Sequence, residues 1–183
     1  MSGPCEESGG DGIAVATRGW RSLPGFLAKA IPSALLVFLI AQCLLGRFLF
    51  VVDAQLQQCL PGHRLYVLDR ARHDVRRGDL VVFVADGQTP LEPAGRWIGK
   101  LVVGLPGDHV RVTPETVEVN GIVVGRGLLL ADKVGAAASD LERDLVVPPG
   151  HVWAMGATVD SYDSRYYGPV GLWKMRGTAT ALF

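Results

Sequence analysis

The sequence predicts a mainly β domain of barrel or sandwich type that follows a single N-terminal transmembrane helix. Two observations support this prediction. After residue 52 the chain consists of short apolar, β-branched runs separated by turns rich in glycine and proline, and no helix of normal length with an apolar face is visible. Before that point, residues 30–52 are almost wholly apolar, and about twenty such residues suffice for a helix to cross a bilayer.

We therefore divide the chain into a polar cytoplasmic tail (residues 1–29), a transmembrane anchor (30–52) and an extracytoplasmic β domain (53–183). Basic residues precede the anchor and are the kind that stay on the cytoplasmic side of a membrane. They are Arg18, Arg21 and Lys29. The prediction is a single-pass protein of the cytoplasmic (inner) membrane, in contact with its lipid, with the N-terminus inside and the β domain on the outer, periplasmic side.

Two other interpretations of the apolar segment are weaker. A cleaved signal peptide has a shorter apolar region and ends in small residues, whereas this segment ends in Arg47-Phe-Leu-Phe-Val-Val. A buried core helix needs a helical partner, and none follows in the sequence.

Individual strands of the β domain are visible as short patterned runs. Residues 80–84 are continuously apolar, residues 110–112 alternate, and residues 117–124 form two strands around Asn120-Gly121, a strong hairpin signal. Residues 146–156 predict a turn and a further strand. Residues 132–143 are rich in alanine and predict a turn of helix or a loop.

Composition excludes several classes of function. The formal net charge is zero and the basic residues are scattered, so no surface for nucleic acid is expected. The three cysteines (Cys5, Cys43 and Cys59) are too few for a disulfide framework, and no Cys/His cluster has the spacing of a metal site. We expect neither a metal nor a cofactor.

Lys100 is the most informative charged residue, because it lies in an apolar, β-prone run that closes with the turn Gly104-Leu-Pro-Gly-Asp108. Among apolar neighbours an ammonium loses its proton more readily and becomes a usable base. The alternative is a lysine at a strand end whose long side chain reaches solvent.

Four motifs in a fixed order accompany this lysine. They are Cys59-Leu60-Pro61 with Tyr66 in the next strand, Gly78-Asp79-Leu-Val-Val-Phe83, Lys100-Leu-Val-Val-Gly-Leu-Pro-Gly-Asp108, and Ser161-Tyr-Asp163-Ser164-Arg165-Tyr-Tyr-Gly168. Over about residues 30–172 the chain resembles the type I signal peptidases, specifically the shorter conjugative-transfer (TraF-type) branch. The resemblance implies a signal-peptidase-like β fold and peptidase activity.

The resemblance also implies a role for each matching residue. Lys100 is the general base of a Ser–Lys-type dyad, and Ser161 orients its amine. Asp163 and Arg165 form an ion pair that braces the turn, with Ser164 as a supporting hydrogen-bonding group. The backbone N–H of residue 59 helps to hold the oxyanion.

Two positions depart from the family pattern. Cys59 stands where the family has its nucleophilic serine, so either a thiol attacks with Lys100 as its partner, or the site is inactive. Gln57 replaces a small hydroxyl residue, and its amide is a candidate oxyanion donor. Ala157 replaces an acidic residue common in the general enzymes, which favours the conjugative branch.

The function implied is a membrane-anchored endopeptidase that processes exported precursor proteins, above all pilin, with the substrate bound as an added strand beside the residues before Cys59 and before Lys100. Two alternatives stay open. They are a housekeeping signal peptidase of broad specificity and an inactive homologue that serves as an anchored component of a conjugation or secretion apparatus.

Overall fold

A computed structural model describes residues 23–52, 60, 65–87 and 93–182. The contacts within the chain divide it into two compact units, Met1–Cys43 and Leu44–Phe183, and each is described by itself.

Helix α1 spans Leu23–Arg47 and is apolar on all sides. Its large apolar side chains are exposed, among them Phe26, Ile31 and Phe38. Residues Gly25–Arg47 are long and apolar enough to cross a membrane. The predicted N-terminal apolar helix is therefore present, as a candidate membrane span.

The helix differs from the predicted segment at both ends. Strand β1 (Phe48–Val52) follows α1 directly and pairs antiparallel with β2 (Leu65–Asp69), so the residues expected to complete the anchor belong to a sheet. Aromatic and β-branched residues suit a strand as well as a membrane helix. The Arg47 guanidinium fixes the change of direction, because it donates two hydrogen bonds to the Asp69 carboxylate at 3.0 and 2.7 Å.

The described part of the β domain contains nine further strands. They are β3 (Leu80–Val84), β4 (Trp97–Gly104), β5 (His109–Val112), β6 (Thr116–Val119), β7 (Ile122–Arg126), β8 (Arg143–Val146), β9 (His151–Met155), β10 (Val170–Gly171) and β11 (Met175–Ala181). The strands predicted at residues 80–84 and 110–112, the hairpin at 117–124, and the turn and strand at 146–156 are all present. Between β7 and β8 the alanine-rich segment forms two short 3-10 turns, Asp132–Val134 and Ala138–Leu141. A single turn of helix, α2 (Ser164–Tyr167), follows β9.

The described strands form two sheets. The larger has the order β1-β2-β11-β3-β4-β9-β10, and the smaller has the order β7-β6-β5-β8. One core cluster joins the small sheet to Trp153 and Met155 of β9, and a second lies on the other face of the large sheet, around Val81, Ile98 and Val102. The predicted mainly β architecture behind one apolar helix is confirmed.

The turn that ends β4 is held by Asp108. Its carboxylate accepts hydrogen bonds from the Leu105 N–H at 2.5 Å, from Arg77 at 2.7 Å and from the Asn120 amide at 2.7 Å. Partial burial alone would raise the pKa of Asp108, but these three hydrogen bonds together lower it. Asn120 is the first residue of the turn in the predicted β6–β7 hairpin and has a φ of 52°. Its contact with Asp108 therefore ties the end of β4 to the small sheet.

Candidate active site

Lys100 lies in the middle of β4, on the face that carries Ile98 and Val102. Its side chain is buried, with 4% of the residue exposed, and its cross-strand neighbour is Val81. The alternative of a lysine at a strand end whose side chain reaches solvent is therefore wrong. No salt bridge among the described residues includes Lys100.

Ser161 supplies the hydrogen-bond partner of the buried amine. Lys100 Nζ lies 2.7 Å from Ser161 Oγ, although the two residues are 61 positions apart in the sequence. Ser161 is fully buried, its N–H donates to the Thr158 carbonyl at 3.3 Å, and its carbonyl accepts from Arg165 at 3.0 Å. The backbone of Ser161 is therefore held at both its N–H and its carbonyl, with its hydroxyl in hydrogen-bond contact with the amine.

Asp163 and Arg165 form a buried ion pair directly after Ser161. Arg165 Nη2 and Nε donate to the Asp163 carboxylate at 2.7 and 2.8 Å, and both residues are at most 1% exposed. Asp163 also accepts from the backbone N–H of Gly156 at 2.9 Å, at the point where β9 ends. The pair thus fixes the loop that carries Ser161 to the end of β9.

The guanidinium of Arg165 also binds carbonyl groups from two separate loops. Its acceptors outside Asp163 are the carbonyls of Arg126, Gly127, Thr158, Val159 and Ser161, at 2.8–3.3 Å. A planar fork with five N–H donors suits this arrangement, which a lysine ammonium does not reproduce. Arg165 therefore joins the β7 end of the small sheet to the loop that carries Ser161, the hydrogen-bond partner of Lys100.

Ser164 and Tyr166 hold the short helix α2 in place. Ser164 Oγ accepts from the Ala154 N–H of β9 at 3.0 Å, and Tyr166 Oη accepts from the Leu130 N–H at 3.0 Å. Burial raises the pKa of the Tyr166 hydroxyl, which favours its neutral form. The contact with residue 130 has no signal in the sequence, because it joins a side chain to the backbone of a distant turn.

One edge of β4 is open beside Lys100. Strand β9 pairs with Leu101–Gly104, whereas Trp97–Lys100 pair only with β3 in the part of the chain that the structure describes. On the side of β3, the Arg96 carbonyl accepts a hydrogen bond at 2.8 Å and the Val102 N–H donates one at 2.9 Å. By the alternation of an antiparallel ladder, the backbone groups of Trp97 and Gly99 face the open side.

Leu60 brings the segment after Cys59 to this edge. A Cβ placed on Gly99 would lie 3.5 Å from Leu60 Cδ1 and 3.6 Å from Leu80 Cδ1, so both side chains border the residue next to Lys100. Cys59 and Gln57, the predicted nucleophile and oxyanion donor, lie outside the described residues. Among the residues described, no group of three or more His, Cys, Asp or Glu side chains could hold a metal ion.

Replacing Ser161 by alanine tests the orienting role of its hydroxyl. We expect kcat on a processed precursor to fall by about tenfold to a hundredfold with little change in KM, because a displaced catalytic group loses rate and not substrate contacts. Ser139→Ala, at an exposed serine between β7 and β8, is the matched control. Equal kcat for Ser161→Ala and the control would show that the 2.7 Å contact does not orient the amine.

Comparison with known proteins defines the class to which this fold and site belong. A model of the family described as "Signal peptidase, peptidase S26" matches residues 25–183. This protein belongs to that family.

Individual relatives include both general and conjugative proteins. Signal peptidase I of Pseudomonas aeruginosa is 36% identical over 134 residues, which cover 58% of this chain and 45% of the relative. The conjugal transfer protein TraF of Agrobacterium tumefaciens is 32% identical over 121 residues, which cover 61% and 57%. The match thus spans about half of the length of each relative.

A solved structure of a signal peptidase I from Enterococcus faecalis is also similar. It is 25% identical to this chain, and the alignment covers 58% of this chain and 97% of that one, with a TM-score of 0.38.

Proposed function

We propose that this protein is a membrane-anchored endopeptidase of the signal-peptidase type, in which Cys59 attacks the peptide bond and Lys100 is its partner. The observation that carries the proposal is the buried Lys100 amine, which is hydrogen-bonded to Ser161 Oγ at 2.7 Å and lies beside the open edge of β4. Leu60 supports the assignment of Cys59, because the residue directly after Cys59 reaches Gly99, the neighbour of Lys100.

The proposed reaction passes through a thioester. The Cys59 thiol gives its proton to the Lys100 amine, and its sulfur bonds to the carbonyl carbon of the substrate. As the peptide C–N bond breaks, the proton passes from the ammonium to the departing amine. Lys100 then takes a proton from the water that attacks the thioester carbonyl, and returns it to the Cys59 sulfur as the C–S bond breaks. The backbone N–H of residue 59, with the Gln57 amide, is the proposed donor to the oxyanion.

The substrate would bind as a strand added to β4. Trp97 and Gly99 offer backbone groups at the open edge, and a peptide that pairs with them brings its scissile bond to Lys100. Gly99 has no side chain, and the position of its missing Cβ is bordered by Leu60 and Leu80, which would suit a small apolar side chain of the substrate. Affinity would come from main-chain hydrogen bonds, and selectivity from the limited space at Gly99.

Exported precursors are the proposed substrates, with a pilin subunit of a conjugation apparatus as the preferred one. Two TraF proteins among the relatives and Ala157 in place of an acidic residue favour the conjugative branch. Helix α1 would anchor the protein in the cytoplasmic membrane, with the β domain on the outer side.

The experiment is cleavage by the purified full chain in detergent micelles of two precursors, a conjugative pilin and a general secreted protein. Wild type should cut the pilin precursor faster, and Cys59→Ala should cut neither. Faster cutting of the general precursor would favour the housekeeping alternative. Cleavage by Cys59→Ala at the wild-type rate would refute the proposed nucleophile. If wild type cuts neither precursor and cells with Cys59→Ala or Lys100→Ala keep their phenotype, the chain is the inactive component.

A further inference from the structure

A cleft lies between the two sheets and is bordered by Leu101, the residue after Lys100. Its floor is formed by Leu101, Val103 and Met155, which lie on one face of the large sheet. One wall is the end of β7 (residues 124–126), and the other is the loop of residues 156–159. None of these residues takes part in the proposed chemistry at Cys59 and Lys100.

The cleft begins where the open edge of β4 ends. A peptide strand beside Trp97 and Gly99 continues the line of β9, whose last pair with β4 is Met155 with Leu101. The peptide therefore meets the end of β9 just past Lys100 and must leave the plane of the sheet. With the residues before the cut paired to Trp97 and Gly99 and the scissile bond at Lys100, the part that leaves is the segment after the cut.

Among the described residues, the face opposite Lys100 presents a cleft for that segment. On the Lys100 face, the buried Ser161 side chain already occupies the space at the amine. On the opposite face, Leu101 and Met155 form the cleft floor, and both side chains point there because directly paired residues share a face of a sheet. The path of the segment after the cut thus runs over Leu101 into the cleft.

Arg126 gives the cleft an electrostatic preference. Its side chain is exposed and makes no ion pair with any described residue, while its backbone carbonyl is held by Arg165 at 2.8 Å. The opposite wall contributes Ala157, Thr158 and Val159, and Arg165 also lines the cleft, so none of the described lining residues is a carboxylate that could neutralise the Arg126 guanidinium. An acidic side chain of the substrate is its natural partner.

We propose that this cleft binds the first residues after the cut and that Arg126 selects an acidic side chain among them. The inference rests on the proposed peptidase function. The apolar floor contacts the apolar parts of the segment, and the Arg126 guanidinium pairs with its acidic side chain.

The test uses precursors that differ only in carrying Glu or Lys at each of the first three positions after the cut. Wild type should have a higher kcat/KM for the Glu form by about two- to fivefold at one or more of these positions, the range of an exposed ion pair. Arg126→Glu should invert that ratio at the same position, and Arg126→Gln should remove it. Arg176→Glu, an equal change of charge at an exposed residue of β11, should keep the wild-type ratio.

The outcomes separate this inference from the proposed function. An equal ratio for wild type and Arg126→Glu at all three positions, with cleavage intact, overturns the role of Arg126 alone. Inversion by Arg176→Glu as well also overturns it, because net charge would then explain the effect. Absence of cleavage by wild type removes the proposed function and this inference together.

Discussion

We expect replacement of Lys100 by methionine to abolish the proposed precursor processing while the protein remains folded. Methionine fills a similar volume, so the packing against Ile98 and Val102 is kept while the amine is lost. A positioned base contributes about a hundredfold to ten-thousandfold to a rate, and we expect kcat/KM to fall by about a thousandfold. Intrinsic fluorescence, which includes the fully buried Trp153, reports whether the fold is kept.

Lys133→Met is the matched control for this substitution. Lys133 is exposed in a 3-10 turn of the β7–β8 connection, and its loss should leave kcat/KM near the wild-type value. A Lys100→Met protein that keeps more than one-tenth of the wild-type activity would show that the buried amine is not the catalytic partner.

Replacing Arg165 by methionine has the largest expected effect on stability. The substitution leaves the Asp163 carboxylate buried without its counter-ion and removes the Arg165 hydrogen bonds from five backbone carbonyls, of which Thr158 still accepts from the Ser161 N–H. Breaking one partner of a buried ion pair typically costs about 3–5 kcal/mol. The free energy of unfolding in urea, followed by tryptophan fluorescence in detergent, should fall by this amount.

Two further variants distinguish the ion pair from packing. Arg165→Lys should recover little, because an ammonium cannot reach carbonyls in two loops and the carboxylate together. The double variant with Asp163→Asn should lose less than the sum of the single losses, since the uncompensated charge is then removed. Unfolding of Arg165→Met at the same urea concentration as Arg176→Met, an exposed control, would contradict this account.

Sequence patterns predicted the strands well where composition changes sharply at their ends. The apolar run of β3 follows Gly78-Asp79, and the β6–β7 hairpin contains Asn120-Gly121, so local signals suffice. The end of α1 lacks such a signal, because Phe48–Val52 continues the apolar composition without glycine or proline. Only pairing with β2, which lies farther along the chain, makes these residues a strand.

The site could be predicted in part. Its residue types followed from the order of four motifs, and the structure brings Lys100, Ser161, Asp163 and Arg165 together. The resemblance implied a strand added beside the residues before Lys100, but the cause of the open edge was not visible in the sequence, since it depends on β9 ending at Met155, where the Gly156 N–H donates to Asp163. The carbonyl partners of Arg165 were also not predictable, because a sequence does not show which backbone carbonyls accept hydrogen bonds.

Alkylation of Cys59 tests the central claim most directly. The three cysteines of the chain are Cys5, Cys43 and Cys59, so replacing the first two by serine leaves Cys59 as the single thiol. This protein should lose precursor cleavage when iodoacetamide modifies it. The same background with Cys59→Ser should cleave at a rate that iodoacetamide does not change. Cleavage at the unmodified rate by a protein whose intact mass shows complete alkylation would contradict the assignment of Cys59 as the nucleophile beside Lys100.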